Sequence, residues 1–184
     1  MTTRPLVVGA FSPSVLLRTA RRLGLLAPDV REVAVASSPA QFAALLDGEI
    51  DAALTSLDNV IAYRHVPANP PYLGTVLCAL GANPAVRRLA TALRETTRAI
   101  LGGAADDVVI EEAAAALRTS PATARAPARC LQCLKDPDDG LVADGRADLA
   151  SLSTIVVLRR RYGSAPDGDL LTQGLLDLGE DSGR

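Results

Sequence analysis

The chain has 184 residues, of which 48% are hydrophobic, 22% charged and only 3% aromatic, with 19 basic against 21 acidic side chains. That length admits one domain or two very small ones, and the apolar fraction is far above that of a disordered chain. A net charge of −2, with no aromatic-studded basic stretch, leaves no electrostatic footprint for nucleic acid. The apolar runs are too short and too interrupted for membrane insertion.

Met1–Pro5 runs directly into Leu6-Val7-Val8-Gly9, without the apolar core and small-residue cleavage site of a secretory signal, so a cytoplasmic location is expected. The three cysteines (Cys78, Cys130, Cys133) form an odd count, which argues against a disulfide framework. Cys130 and Cys133 have C-x-x-C spacing, but a structural zinc site needs four ligands and the single histidine, His65, is far away in sequence. The pair reads as two small, half-buried residues inside a helix. No metal and no cofactor is implied.

The first half repeats one strand–helix unit three times. Leu6–Ala10 is a short apolar strand, after which Ser12-Pro13-Ser14 opens a helix carrying Val15, Leu16, Leu17, Ala20 and Leu23. Ser12 is placed at the N-cap and Pro13 at the first helical position, where its missing N–H is no loss. Glu32–Ala36 is the second strand. Ser38-Pro39-Ala40-Gln41 follows as a capping box, and its helix through Leu45-Leu46 stops at Asp47-Gly48. Ile50–Leu54 is the third strand, running into a helix capped at Thr55-Ser56 with Asp58 in its first turn and Val60 and Ile61 on its apolar face.

Short right-handed crossovers between such units produce a parallel sheet. All three helix N-termini then lie at the carboxyl edge of the sheet, where open α/β sheets bind ligands and where backbone N–H groups face a polar acceptor or an anion. Each cap is also ordinary helix punctuation, so the reading rests on the convergence of three caps at one edge.

Beyond Tyr63-Arg64-His65 the pattern changes to Val66–Pro71, a stiff extended linker. Tyr72–Leu80 reads as a strand apolar on both faces and therefore central. The remainder is helical: a helix from Asn83-Pro84 to Gly102-Gly103, another over about Val108–Leu117, a turn or short helix at Ser120-Pro121, and a helix over Cys130–Leu134. A turn at Asp136–Gly140 follows, then a helix from Asp148 through Leu158 and a tail from Ser164 that is either a docked helix or a frayed end. The acidic turn lacks the spacing of a calcium loop.

Three phrases, Ser37-Ser38-Pro39-Ala40-Gln41-Phe42, Leu45-Leu46-Asp47-Gly48-Glu49-Ile50-Asp51-Ala52-Ala53-Leu54-Thr55-Ser56 and Asp58-Asn59-Val60…Tyr63-Arg64, resemble type II solute-binding proteins. The nearest branch is that of the nitrate, sulfonate and thiamine-pyrimidine binding proteins of ABC transporters. Gly74-Thr75-Val76-Leu77 and Asp139-Gly140-Leu141-Val142…Leu158-Arg159-Arg160-Arg161-Tyr162-Gly163 are similar to that family's C-terminal return, so the likeness spans most of residues 5–163. Family members have two lobes. Here the linker 64–72 stands where the second lobe would be inserted.

The expected architecture is therefore an α/β protein: one three-layer lobe of the type II periplasmic-binding-protein kind over residues 1–163, with a mostly parallel sheet and extra C-terminal helices, and a tail over 164–184. The resemblance implies a small-molecule ligand, a polar heterocycle or small organic acid, held by Phe11, Ser12, Ser14, Ser37, Ser38, Thr55, Ser56, Asp58, Asn59 and Tyr63. With the opposing lobe missing, the cleft surface around Phe11, Leu57, Val60 and Tyr72 invites a homodimer or a partner protein. The alternative is a cytosolic biosynthetic enzyme descended from the same fold, in which His65 and Asp58 are the acid–base candidates. A third possibility is a regulatory subunit whose uncovered edge binds protein.

Overall fold

A computed structural model of the chain describes residues 4–10, 14–56, 75–79, 83–116, 125–136, 140–143 and 161. In chain order its elements are β1 (Leu6–Ala10), α1 (Val15–Arg22), β2 (Val30–Ala34), α2 (Ser38–Leu46), β3 (Ala52–Ser56), β4 (Thr75–Ala79), α3 (Pro84–Leu101), α4 (Asp106–Ala116) and α5 (Arg125–Leu134). The architecture is mixed α/β. The strands form one sheet in the order β2-β1-β3-β4, with β1 parallel to both β2 and β3 and with β4 antiparallel to β3.

The strand order explains the layering. The chain steps from β1 to β2 in one direction and from β2 across β1 to β3 in the other, so two right-handed crossovers put their helices on opposite faces. Leu17 and Ala20 of α1 and Val86, Leu89 and Leu93 of α3 pack with Leu6, Val8, Ala10, Ala52 and Leu54 on one face. Ala44 and Leu45 of α2 pack with Ile50, Ala53, Val7 and Val33 on the other. The alternation along β1 is the period of two that a strand covered on both faces requires.

Farther along the chain, α4 and α5 form a third cluster in which Leu131 and Leu134 meet Ile100, Ala105 and Val109. Three ion pairs tie this region together. Arg22 of α1 lies 2.7 Å from Glu111 and 3.1 Å from Glu112, and Lys135 lies 2.6 Å from Asp106. After α5 the chain folds back: Leu141 N–H donates to the Leu134 carbonyl (2.8 Å) and Gly140 N–H to that of Asp136 (2.9 Å). A Cβ on Gly140 would run into the Leu134 and Asp136 backbone, so only glycine fits. The expected turn at Asp136–Gly140 is thus real at its ends.

Several element boundaries differ from the sequence reading. β2 begins at Val30, two residues earlier than expected, because Val30 is buried opposite Leu6 while the charged Arg31 faces solvent. β3 begins at Ala52 rather than Ile50. Ile50 is held back by a hydrogen bond from its N–H to the Ala44 carbonyl at the end of α2 (3.2 Å), and the Asp51 carboxylate accepts from Val7 N–H (2.8 Å). Thr55 and Ser56, read as a helix cap, are the last two residues of β3.

β4 is not central: among the described residues it ends the sheet, with Leu77 and Ala79 only half-buried. The caps of the first two helices are Ser14 and Ser37, not Ser12 and Ser38. Residues 64–72, read as a linker, and the tail 164–184 lie outside the described residues, as does the helix expected from Asp148.

Gly9 shows how tightly α2's side of the sheet is packed. A Cβ there would sit 2.7 Å from Ile50 Cδ1 and 3.1 Å from Val35 Cγ2. Gly9→Ala should therefore lose about 1–3 kcal/mol by overpacking, and measurably less in an Ile50→Val background, where the offending methyl is gone. Urea unfolding of the two pairs measures both losses. Equal losses would show that Ile50 is not what the new methyl meets.

Candidate functional site

The carboxyl ends of β1 and β3 are neighbours whose outgoing connections diverge, β1 leading to α1 and β2 while β3 leads away from them. This is the switch point at which open α/β sheets form a crevice. The segment 57–74 departs from Ser56 and returns at Thr75, two residues paired across β3 and β4. Both of its ends therefore meet the same carboxyl edge.

Two of the expected helix N-termini are described, and both lie at this edge. At α1, Leu17 N–H donates to Ser14 Oγ (3.3 Å), Arg18 N–H to the Ser14 carbonyl (3.0 Å), and Ser14 N–H to the Glu32 carboxylate (2.7 Å). At α2, Ala40 N–H donates to Ser37 Oγ (3.3 Å) and Gln41 N–H to the Ser37 carbonyl (2.9 Å), while Pro39 has no N–H to offer. The sequence reading expected open amides at each tip. Three of those amides, at Ser14, Leu17 and Ala40, already have partners.

The Glu32 carboxylate at the tip of α1 has a consequence for binding. A negative charge on the first amide of a helix is favourable for the helix and takes the place an external anion would occupy. In the sequence Glu32 marks only the start of a strand. The register Val8↔Glu32 puts it on the same face of the sheet as Val8, which is the face α1 covers.

Gln41 departs furthest from expectation. Read as the back-bonding member of a capping box, it is instead fully buried (0% exposed), and its Nε2 donates to the Gly9 carbonyl of β1 (3.1 Å) and the Leu54 carbonyl of β3 (2.9 Å). One side-chain amide thus bridges the two strands that define the switch point. Its Oε1 is buried and has no hydrogen-bond partner among the described residues. A buried amide oxygen left without a donor is unfavourable by about 1–3 kcal/mol, so such an atom calls for a donor from water or ligand.

The signal for Gln41 was present in the sequence. Gln41, Ala44 and Leu45 have the i, i+3, i+4 spacing of α2's buried stripe. A polar residue on that stripe must satisfy its amide inside the protein.

The other expected ligand residues divide as follows. Ser14 and Ser37 are at the edge, with their hydroxyls already serving as caps. Ser38 opens α2, and Thr55 and Ser56 end β3, so their backbones are at the edge as well. Phe11, Ser12, Asp58, Asn59, Tyr63 and His65 lie outside the described residues, as do Leu57, Val60 and Tyr72. Away from the edge, a shallow open depression beside Leu25 is lined by Arg87, Arg88, Thr91 and Glu95 of α3, all exposed, and reads as a solvated helix face.

Comparison of the chain with protein-family models, with curated proteins and with solved structures yields no match. Among the described residues no helix is long and apolar enough to cross a membrane, and no group of three or more His, Cys, Asp or Glu side chains could hold a metal ion.

Gln41→Leu keeps the side-chain volume and removes both donors. It should lower stability by about 1–3 kcal/mol through the Gly9 and Leu54 carbonyls it leaves short of a partner. Chemical denaturation checks this, and an unchanged midpoint would mean that the bridge contributes nothing.

Proposed function

We propose that the chain is a binding module for a small polar molecule, held at the carboxyl edge between β1 and β3, and that it is a single-lobe relative of type II solute-binding proteins. The observation that carries this reading is the buried Gln41 amide, whose two N–H groups are spent on the sheet and whose buried oxygen has no hydrogen-bond partner among the described residues. The departure and return of segment 57–74 at Ser56 and Thr75 is in keeping with the resemblance to that family. It is the place where a two-lobed member would insert its second lobe, and the segment carries Asp58, Asn59, Tyr63 and His65.

Of the two ligand classes the resemblance suggests, the polar heterocycle is favoured over the small acid. Gln41 Oε1 is an acceptor and needs a ligand N–H or O–H. Glu32 already brings a carboxylate to the tip of α1, and a second anion there would meet a like charge.

A thermal-shift panel of aminopyrimidines against small carboxylates such as benzoate tests this. A ligand at about 100 times its Kd adds about 2.7 kcal/mol, which for a chain of this size raises Tm by roughly 5–10 °C. The expected result is a shift with amino-heterocycles that disappears in Gln41→Leu relative to that variant's own unliganded Tm. A blank panel, or a shift that survives the substitution, counts against the site.

The same reading expects two copies to cover the edge that the missing lobe leaves open. Sedimentation at micromolar concentration should give twice the chain mass of 19.1 kDa. A single species at the monomer mass counts against that assembly.

A further inference from the structure

The C-x-x-C pair is the one chemistry-bearing motif that a ligand site at the sheet edge leaves unused. Cys130 and Cys133 are both free thiols on α5, Cys130 half-buried and Cys133 exposed. The helix that carries them is anchored: Leu131 and Leu134 pack against Ile100, Ala105 and Val109, and Lys135 just beyond pairs with Asp106. The two thiols therefore sit on a fixed scaffold, at the solvent side of its buried stripe. Burial raises the Cys130 thiol above its ordinary range, and proximity to Cys133 raises it further, so the two sulfurs sense each other's charge.

Helix geometry decides what such a pair can hold. Residues three apart on a helix have Cβ atoms about 5–6 Å from one another. A disulfide needs them about 3.5–4.5 Å apart, so closing one would unwind the last turn of α5 and disturb Leu134 and Lys135. A thiolate–metal–thiolate bridge, with bonds of about 2.3 Å each, holds the sulfurs roughly 4.6 Å apart when linear and leaves the helix intact. Zinc wants four ligands, whereas the described residues supply two at this place. Two soft thiolates select a soft, low-coordinate ion.

We propose that Cys130 and Cys133 form a two-thiolate binding site for a soft monovalent cation of the Cu(I) class. Each thiol gives up its proton as its sulfur bonds to the ion, so two protons leave for each ion bound and no electron is transferred. The site is independent of the sheet edge and of whatever binds there.

The test is anaerobic titration of the full chain with Cu(I) in the presence of bicinchoninate as competitor. Circular dichroism follows the helix, and mass spectrometry after alkylation identifies the protected thiols. The expected result is one Cu(I) retained per chain, with unchanged helix signal and with Cys130 and Cys133 protected together. Cys130→Ser and Cys133→Ser should each weaken binding by about 100-fold or more, because a second tethered ligand multiplies affinity by about that factor. Failure to compete with bicinchoninate, retained affinity in either variant, protection of Cys78 instead, or loss of helix signal on loading would each overturn the proposal.

Discussion

One side-chain amide fixes the geometry on which the rest depends. Gln41 reaches from α2 to the carbonyls of Gly9 and Leu54, so the helix on one face and two strands of the sheet are tied at a single buried point. The tie lies near the carboxyl ends of the neighbouring strands β1 and β3. A purely apolar residue would fill the same volume. It would not donate to those carbonyls.

The phrase Gly48-Glu49-Ile50-Asp51-Ala52-Ala53 has a structural explanation at every position but one. Gly48 has φ +71°, the left-handed stop after α2. Ile50 fills the space that Gly9 leaves open. Asp51 accepts from Val7 N–H and lies 3.6 Å from Arg4. Ala52 and Ala53 are fully buried, one under each helical layer, where a larger side chain would push the layers apart. Glu49 is exposed and needs no such account. The motif therefore speaks for a way of building the sheet more than for a particular ligand.

The caps illustrate how far local sequence can be read. Asn83-Pro84 opens α3 and Gly102-Gly103 closes it, as expected, with Gly102 as the cap and Gly103 in the left-handed conformation. Ser37-Ser38 offers two caps in a row, and the choice between them is made elsewhere. With Ser38 as cap, Gln41 would turn back to its own helix end. With Ser37 as cap, it faces the sheet and meets two carbonyls. Tertiary hydrogen bonding thus overrides a local pattern that fits equally well. Glu32 was opaque for a similar reason, since its partner, Ser14 N–H, is eighteen residues away and only the β1–β2 register brings them together. The antiparallel direction of β4 was not legible either, because residue pattern alone does not say on which edge a chain re-enters a sheet.

Hydrogen exchange at the Gln41 side-chain amide, followed by nitrogen-edited NMR, tests the central claim most directly. If Nε2 is clamped between β1 and β3, both of its protons exchange slowly, with protection like that of core backbone amides such as Val8 and Ala53. Exchange at the rate of a solvent-exposed glutamine would contradict the bridge, and with it the assignment of a binding crevice at that edge.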